Sequence, residues 1–334
     1  MSENITIAVD AMGGDNSPEK VIKGISLHSL NSQNITYKIF GDEKLINPLI
    51  KKNEIQNDFI VHHTIDKINN DDTALGAAKR GKNTSMWMSV NSVKEKNSDI
   101  VISAGNTGAL FVIAKLNLKM IQNIDKPALS ALWPNKNGLN VVLDLGANIE
   151  CSEKNLVDFS IMGAALHKSL FPSEICKVAL LNIGSEEIKG NNVIKNTYKE
   201  LSSKTNKLYD FCGYIEGNHI MDGKVNIIVT DGFTGNIALK TAEGTANFIT
   251  GELKSALTNS VLGKISSLLN IKNLNNFKKK LDPRVYNGAM LLGLDSPVVK
   301  SHGGTDHIGF YNSLNVCEKI VKGKLIDKIK ENIN

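Results

Sequence analysis

The segment DIVISAGNTGALFVIAKLNL, residues 99–118, shows most clearly how this chain of 334 residues folds. It begins with a short apolar run rich in β-branched side chains, Asp99 to Ser103, which predicts a buried strand. Gly105 and Gly108 then allow a tight turn, and apolar residues recur with helical spacing as far as Leu118. The segment therefore predicts one βα unit with a glycine-rich turn at the end of the strand.

The same βα rhythm recurs along the chain, since each apolar run ends in a cluster of Gly, Asp, Asn or Ser and leads into a stretch with helical spacing. Several runs are apolar on both faces, as strands of a helix-covered parallel sheet must be. The sequence thus predicts an α/β fold, and its length suits two domains or one large domain with two lobes. The clearest predicted strands are Ile5 to Val9, Tyr37 to Phe40, Asp99 to Ser103, Val141 to Leu145, Val178 to Ile183 and Val225 to Thr230.

Residues 251–281 interrupt the rhythm, because they contain no strand pattern and repeat apolar residues at steps of three or four. This spacing predicts a helix, a turn and a second helix inserted into the α/β domain. Such a hairpin suits a dimerisation arm, a tip that touches a membrane, or helices packed on the core. The repeated positions are Leu253, Leu257, Val261, Ile265 and Leu268.

The composition and net charge of the chain limit which kinds of molecule we expect it to bind. Hydrophobic residues make up 41% and charged residues 22%, which is ordinary for a globular protein. The formal net charge is +5, almost all of it from lysine, because Arg80 and Arg284 are the only arginines. Nucleic-acid surfaces usually cluster arginine with exposed aromatics, and aromatics are only 5% here, so we expect no nucleic acid partner. A mild basic excess instead suits an acidic partner protein, an anionic membrane surface or a phosphate-bearing substrate.

Cysteine usage and the N-terminus indicate the cellular compartment. The cysteines form no Cys-x-x-Cys pair and have no histidine nearby at zinc-ligand spacing, so we expect no metal site and small buried thiols in a reducing cytosol. MSENITIAVDAM lacks the basic and apolar regions of a signal peptide, and no apolar run reaches the length of a membrane span. The sequence thus predicts a cytoplasmic protein. The four cysteines are Cys151, Cys176, Cys212 and Cys317.

Glycines and short polar residues follow the predicted strands, at the edge where a parallel sheet binds its ligands. Glycine lets the backbone approach a ligand, and the N–H groups of a helix start attract phosphate or carboxylate. One such junction is equally consistent with a turn or a helix cap, but five together predict a shared anion site. Near the C-terminus, Lys300 could hold phosphate and His302 could donate a hydrogen bond or move a proton, although a lone histidine is often structural. The candidates are Asp10, Gly13, Gly14, Asp15, Ser103, Gly105, Asn106, Thr107, Gly108, Asp144, Asn148, Lys189, Asp231, Thr234, Gly235, Asn236, Lys300, His302 and Asp306.

Seven motifs in a fixed order extend these junctions over nearly the whole chain. They are VDAMGGDNSP from Val9, RGKNTSM from Arg80, SAGNTGAL from Ser103, LDLGAN from Leu143, LLNIGSEEIKG from Leu180, TDGFTGNIALKTAEG from Thr230, and YNGAMLLGL from Tyr286 with VVKSHGGTD from Val298. Together they closely resemble the bacterial phosphate acyltransferases of the PlsX type. The chain departs from the family pattern at Tyr214, where Asn is usual, at Asn218-His219, where an Arg-Asp pair is common, and in KPAL at Lys126, where RPAL is typical.

The resemblance implies a fold, an assembly and an activity. The fold would be a three-layer α/β/α sandwich similar to the isocitrate and isopropylmalate dehydrogenases and to phosphotransacetylases, assembled as a homodimer. The enzyme would reversibly transfer a long-chain fatty acyl group from acyl carrier protein to inorganic phosphate, with no cofactor. The acyl phosphate would then serve phospholipid synthesis through a membrane glycerol-3-phosphate acyltransferase. Residues 251–281 occupy the place of a helical tip that, in this family, touches the inner face of the cell membrane.

The expected mechanism is direct attack of a phosphate oxygen on the acyl thioester. Phosphate is already an anionic nucleophile, so the protein must supply positioning and oxyanion stabilisation rather than a strong base. The alternative is an acyl-cysteine intermediate, and the rival functions are a dehydrogenase of the same fold and a non-catalytic membrane scaffold. The expected charged or donor groups are Lys300, His302 and Lys189, with Asn106, Asn148, Thr234 and Asn236 as neutral donors and with Asp231 and Asp306 orienting them.

Overall fold

The computed structural model describes residues 4–333, apart from the side chain of Arg80. Within these residues eleven strands form one continuous sheet. The strands are β1 (Ile5–Asp10), β2 (Ile35–Gly41), β3 (Asp58–His63), β4 (Ile100–Ser103), β5 (Ala128–Pro134), β6 (Leu139–Leu143), β7 (Lys177–Asn182), β8 (Asp210–Glu216), β9 (Ile227–Val229), β10 (Ala289–Leu292) and β11 (Val298–Lys300). Their order across the sheet is β3-β2-β1-β4-β11-β10-β5-β6-β9-β7-β8.

The sheet has two parallel halves of opposite direction. Strands β3, β2, β1, β4 and β11 run parallel to one another, and so do β6, β9, β7 and β8. Between them β10 is antiparallel to both β11 and β5, and β5 is antiparallel to β6. The two halves therefore point opposite ways, and the central antiparallel strands separate their carboxyl ends.

Helices cover both faces of the sheet, which confirms the predicted α/β fold. The first layer packs against one apolar cluster and contains α1 (Glu19–Ser29), α2 (Glu43–Asn53), α6 (Glu153–Leu170), α7 (Asn192–Ser203), α11 (His307–Lys322) and α12 (Leu325–Asn332). The second layer contains α3 (Ala74–Arg80), α4 (Ser85–Lys94), α5 (Thr107–Asn117) and the start of α8 (Gly232–Thr258). Two further helices are α9 (Val261–Leu269) and α10 (Ile271–Leu281), and two 3₁₀ helices cover Gly217–Asp222 and Pro283–Tyr286.

The six predicted strands are all present, with ends that differ by at most two residues. The sequence did not single out five strands, β3, β5, β8, β10 and β11, and for four of them the structure gives a physical reason. Strands β3 and β8 lie at the two edges of the sheet and keep several side chains exposed, so they lack a long apolar run. Strands β10 and β11 are only four and three residues long.

The predicted inserted hairpin differs from the structure at its first boundary. Position 251 lies inside α8, which continues unbroken from Gly232 to Thr258, and two shorter helices follow in place of one. None of the residues of α9 or α10 is buried. No helix within residues 4–333 is both long and apolar enough to span a bilayer. We call residues 244–281 the arm; it comprises the exposed part of α8 together with α9 and α10.

Candidate active site

Three candidate residues end neighbouring strands of the first half of the sheet. Asp10 of β1 stands opposite Ser103 of β4, which stands opposite Lys300 of β11. The Asp10 carboxylate is 1% exposed and accepts hydrogen bonds from the hydroxyls of Ser103 and Ser85, both at 2.6 Å. Burial raises the pKa of Asp10, while these hydroxyls and Lys300 oppose the rise. Because its oxygens are covered, we revise its predicted role from binding substrate to supporting the neighbouring lysine.

Two buried ammonium groups interact here, and that of Lys300 also interacts with the Asp10 carboxylate. Lys300 is 9% exposed and donates to the carbonyl of Ser301, and burial, reinforced by repulsion from Lys20, lowers its pKa to about 8. Lys20, at the start of α1, is 4% exposed and donates to the carbonyl of Gly303. Burial also lowers the pKa of Lys20. Two cations that are poorly hydrated and held close together favour the binding of an anion between them.

The glycine-rich loops after β1 and β4 pack directly on each other. A Cβ on Gly13 would lie 2.6 Å from the backbone nitrogen of Gly105, and a Cβ on Gly14 would lie 2.5 Å from the carbonyl oxygen of Ala104. Gly14 also adopts a φ of +82°, which side chains rarely tolerate. The loop after β11 joins them, because the backbone N–H of Asp15 donates to the carbonyl of Gly303. The three loops thus form one corner around the two lysines.

The first turn of α5 contributes backbone donors to this corner. Asn106 caps the helix, since its Oδ1 accepts from the N–H of Ala109 at 3.0 Å. Its two amide hydrogens are already used, on the carbonyls of Asn70 and Asp72, so the predicted donation from Asn106 to substrate is replaced by a capping role. The N–H groups of Thr107 and Gly108 have no acceptor inside the helix and favour a negative charge.

A second buried carboxylate organises the loop after β6. Asp144 is fully buried and accepts from the backbone N–H groups of Leu129, Gly146, Ala147 and Asn148, at 2.8 to 3.1 Å. Burial raises the pKa of Asp144, and these donors oppose the rise. Both carboxylate oxygens of Asp144 therefore accept hydrogen bonds from groups of the protein itself. Its predicted contact with substrate is therefore corrected to a role in shaping residues 144–148.

Asn148 is likewise committed to this loop. Its side-chain amide donates to Asp144 and to the carbonyl of Pro127, at 2.8 and 2.7 Å, which uses both hydrogens. It therefore holds the loop in place rather than offering a donor to a ligand, contrary to the expectation from the sequence.

The start of α8 packs against the same loop. Asp231 caps the helix by accepting from the N–H and the hydroxyl of Thr234, both at 2.8 Å. A Cβ on Gly235 would lie 1.9 Å from the carbonyl oxygen of Asp144, so only glycine allows the helix to come this close. These candidates therefore fix the position of α8 beside the loop.

An apolar cleft of about 310 Å³ joins the two groups of candidates. Its floor contains Val298, Leu291 and Leu129, which stand side by side across β11, β10 and β5. Lys300 lies two residues beyond Val298 and faces the same cavity. The walls come from both halves of the molecule, namely Ala74, Thr107, Gly108, Leu110, Phe111 and Val112 on one side and Gly146 and Ala147 on the other.

One face of α8 extends from this cleft towards His302. Asn236 lies beside Gly146, at 3.5 Å from the position of a Cβ on that glycine. Lys240 and Glu243 follow at helical spacing on the same face, form an ion pair at 2.7 Å and act electrostatically on His302. Helix α8 therefore links the loop after β6 to the corner formed by the lysines.

His302 is exposed and has a defined hydrogen-bonding state. Its Nδ1 accepts from the backbone N–H of Gly304 at 3.2 Å, so the neutral ring carries its proton on Nε2. Burial, followed by repulsion from Lys300 and other nearby lysines, lowers the pKa of His302. At neutral pH His302 is therefore a neutral donor that can serve a developing oxyanion.

Two candidates lie outside this constellation. Lys189 belongs to the loop after β7, where its backbone N–H donates to Glu186 and its side chain packs by Gly184. Asp306 caps α11 and pairs with Arg284 at 2.8 Å. The departures from the family pattern at residues 214–219 lie on β8, an edge strand, and on the 3₁₀ helix after it.

Sequence reasoning missed three residues of the site, Lys20, Ser85 and Lys240. Each sits in or just beyond the first helical turns that follow a polar junction, where lysine and serine are also ordinary surface residues. The available signal was membership of a quoted motif for Ser85 and Lys240, and a position two residues beyond such a motif for Lys20.

None of the four cysteines has the environment of an activated nucleophile. Cys151 lies nearest the site, beside Gly232 and Asp144, and burial raises its pKa to about 11. Burial likewise raises the pKa of Cys176 and Cys317. Cys212 is exposed on β8, an edge strand, so the prediction that all four thiols are buried is wrong for it, and partial burial raises its pKa as well. The thiolate is the nucleophilic form, so this arrangement favours direct attack over an acyl-cysteine.

Comparison with known proteins identifies the family. A family model described as "Fatty acid synthesis protein" matches residues 5–328. The chain is 66% identical over 333 residues to a phosphate acyltransferase of Pelagibacter ubique, covering all of both chains. Its fold is similar to a phosphotransacetylase from Streptococcus pyogenes, with a TM-score of 0.62 at 15% identity, covering 98% of this chain and 95% of that one. It is also similar to a putative 4-hydroxythreonine-4-phosphate dehydrogenase from Salmonella typhimurium, with a TM-score of 0.50 at 12% identity, covering 96% and 100% of the two chains. The chain therefore belongs to the phosphate acyltransferase family and is an acyltransferase enzyme of fatty acid and lipid synthesis.

Proposed function

We propose that this enzyme reversibly transfers a long-chain fatty acyl group from acyl carrier protein to inorganic phosphate, forming an acyl phosphate for phospholipid synthesis. The observation that carries the proposal is that the apolar cleft is lined at one end by Lys300, which interacts with a second buried lysine, Lys20. An acyl chain needs an apolar cavity, and phosphate needs cations and N–H donors. Both kinds of surface meet at Lys300.

Phosphate would bind between the lysine pair and the first turn of α5. Lys300 and Lys20 supply positive charge, and the N–H groups of Thr107 and Gly108 add donors and the favourable end of the helix dipole. An anion at this place would also favour the protonated form of Lys300, whose pKa is otherwise only about 8.

The thioester carbonyl would lie next to this phosphate, at the mouth of the cleft. A phosphate oxygen forms a bond to the carbonyl carbon, and the negative charge moves to the carbonyl oxygen of a tetrahedral intermediate. His302 can donate from Nε2 to that oxygen, and Lys300 is within the same corner. The intermediate then collapses, the carbon–sulfur bond breaks, and the carrier thiolate leaves and takes a proton from solvent.

No catalytic base is needed in this scheme, and the buried carboxylates fit that expectation. Asp10, held by Ser85 and Ser103, would steady Lys300 through its charge, while Asp144 and Asn148 would hold the loop that forms the far wall. Lys189 and Asp306 would then influence the reaction without contacting the substrate, or would contribute through the proposed homodimer.

The exposed arm supports the proposed homodimer and peripheral membrane contact. Phe248, Leu262 and Leu269 are 69%, 79% and 83% exposed, and a run of three lysines ends α10 nearby. Large exposed apolar residues mark interaction sites, and lysines favour anionic lipid. We propose a cytoplasmic enzyme whose arm touches the inner face of the membrane, close to the glycerol-3-phosphate acyltransferase that would consume the product.

The proposal is tested by incubating the enzyme with palmitoyl-acyl carrier protein, with and without phosphate. We expect carrier thiol and palmitoyl phosphate, detected by mass spectrometry, only when phosphate is present. Lys300→Met should abolish the reaction, whereas Lys51→Met, at an exposed position on α2, should not change it. Thiol release that is absent, or that does not depend on phosphate, would contradict the proposal.

A further inference from the structure

We infer that the cleft beside Lys300 holds the part of the acyl chain next to the reacting carbonyl, and that Phe111 and Val112 of α5 set the chain length that the enzyme accepts. This inference rests on the proposed function and adds specificity-determining residues to it.

The floor of the cleft has the shape of a short apolar track. Val298, Leu291 and Leu129 stand opposite one another on three adjacent strands, so their side chains form a row across the sheet. Strands lie about 4.8 Å apart, which makes the row about 10 Å long. Lys300 is two residues from Val298 on the same face. The row of apolar side chains therefore starts at Val298, next to the ammonium group of Lys300, and leads away from it.

The walls offer contacts for hydrocarbon and few for polar groups. Phe111 and Val112 are half-buried at the edge of the cleft, and Ala147 faces them from the loop after β6. Apart from Lys300 and Thr107, the lining residues in the described part of the chain are apolar or glycine. A chain segment in this cavity would exchange water for apolar contacts along most of its surface.

The volume of the cavity limits how many methylene groups of the acyl chain it can cover, and each covered methylene should change kcat/KM by a measurable factor. At about 310 Å³ it lies at the lower end of the range of ligand pockets, about 300 to 1,000 Å³, so it covers only part of a long chain. Each methylene covered contributes about 0.8 kcal/mol, or about fourfold in kcat/KM. A change that displaces two methylenes should therefore lower kcat/KM for long chains by more than tenfold.

The test compares Val112→Phe with a matched control, Val321→Phe. Val321 is also a half-buried valine on a helix, but α11 packs on the opposite face of the sheet. We measure phosphate-dependent thiol release from butyryl- and palmitoyl-acyl carrier protein. In Val112→Phe, the palmitoyl-to-butyryl ratio of kcat/KM should fall at least tenfold, and in Val321→Phe it should stay within twofold of wild type.

A second variant tests the opposite change. Phe111→Leu should enlarge the cleft and raise the palmitoyl-to-butyryl ratio of kcat/KM at least threefold, while Phe171→Leu, a half-buried change on the other face, should leave that ratio unchanged. Equal effects on short and long chains in both α5 variants would overturn the inference while the proposed function stands. Wild-type enzyme that is inactive on every acyl chain would instead overturn the proposed function.

Discussion

Replacing Lys300 with methionine is expected to abolish activity and, at neutral pH, to make the protein more stable. Lys300 is only 9% exposed, and burial with repulsion from Lys20 lowers its pKa from the ordinary 10.5 to about 8. Methionine keeps an unbranched apolar stem of similar length and carries no charge. The substitution therefore removes a buried ammonium group that lowers the free energy of unfolding.

The magnitude follows from the two pKa values. The unfolded chain binds this proton more tightly than the folded protein, so the buried charge lowers the free energy of unfolding. At 1.36 kcal/mol per pKa unit, the cost at pH 7 is about 3 kcal/mol. It is present in full below pH 8, shrinks as pH rises from about 8 towards 10.5, and is absent above that. Because Asp10 also loses a favourable neighbour, we expect a net gain of about 1 to 3 kcal/mol at pH 7.

Urea unfolding of wild type, Lys300→Met and the exposed control Lys51→Met at pH 7.0 and 9.5 measures this effect. The stability advantage of Lys300→Met should be smaller by about 2 kcal/mol at pH 9.5, because the penalty in wild type shrinks by that amount between pH 8 and 9.5. The Lys51 variant should stay within about 0.5 kcal/mol of wild type at both values. A Lys300→Met protein that is less stable than wild type at pH 7, or an advantage that does not change with pH, would refute the reasoning.

Three further predictions concern other parts of the site. Asp144→Asn should lower the free energy of unfolding by about 3 kcal/mol in urea titration, since it places an amide against a ring of N–H donors; a change below 0.5 kcal/mol would contradict that role. His302→Gln, which keeps a donor, should lose about tenfold in kcat and His302→Phe about a hundredfold or more. Because the pKa of His302 is lowered, the wild-type rate should hold as pH falls to 6.5 and decline only below it; a rate that rises on acidification would argue against a neutral donor. Cys151→Ser should keep kcat within twofold, because the thiol with a pKa of about 11 stays protonated; a loss of a hundredfold would favour an acyl-cysteine.

Local patterns predicted strands in both halves of the sheet. The run from Asp99 to Ser103, followed by Gly105 and a helical repeat, specifies β4 and α5 through hydrophobic periodicity and turn chemistry alone. The same holds for β1, β2, β6, β7 and β9, which are mostly buried and so carry largely apolar runs. Edge strands β3 and β8 lack that signal because several of their side chains are exposed, and β11 has only three residues and also pairs with β4, far away in the chain.

The sequence by itself determined that this protein has an α/β fold with glycine-rich, polar strand ends, because periodicity, turns and helix caps are local properties of a few residues. Tertiary structure alone decided which of those polar groups are free. Asn106 and Asn148 look like donors in the sequence, yet Asn106 donates both amide hydrogens to the carbonyls of Asn70 and Asp72, and Asn148 donates one to the carbonyl of Pro127 and one to Asp144. Lys20 looks like a surface lysine and is buried beside Lys300. Such commitments arise from contacts between segments tens to hundreds of residues apart, which local pattern does not encode.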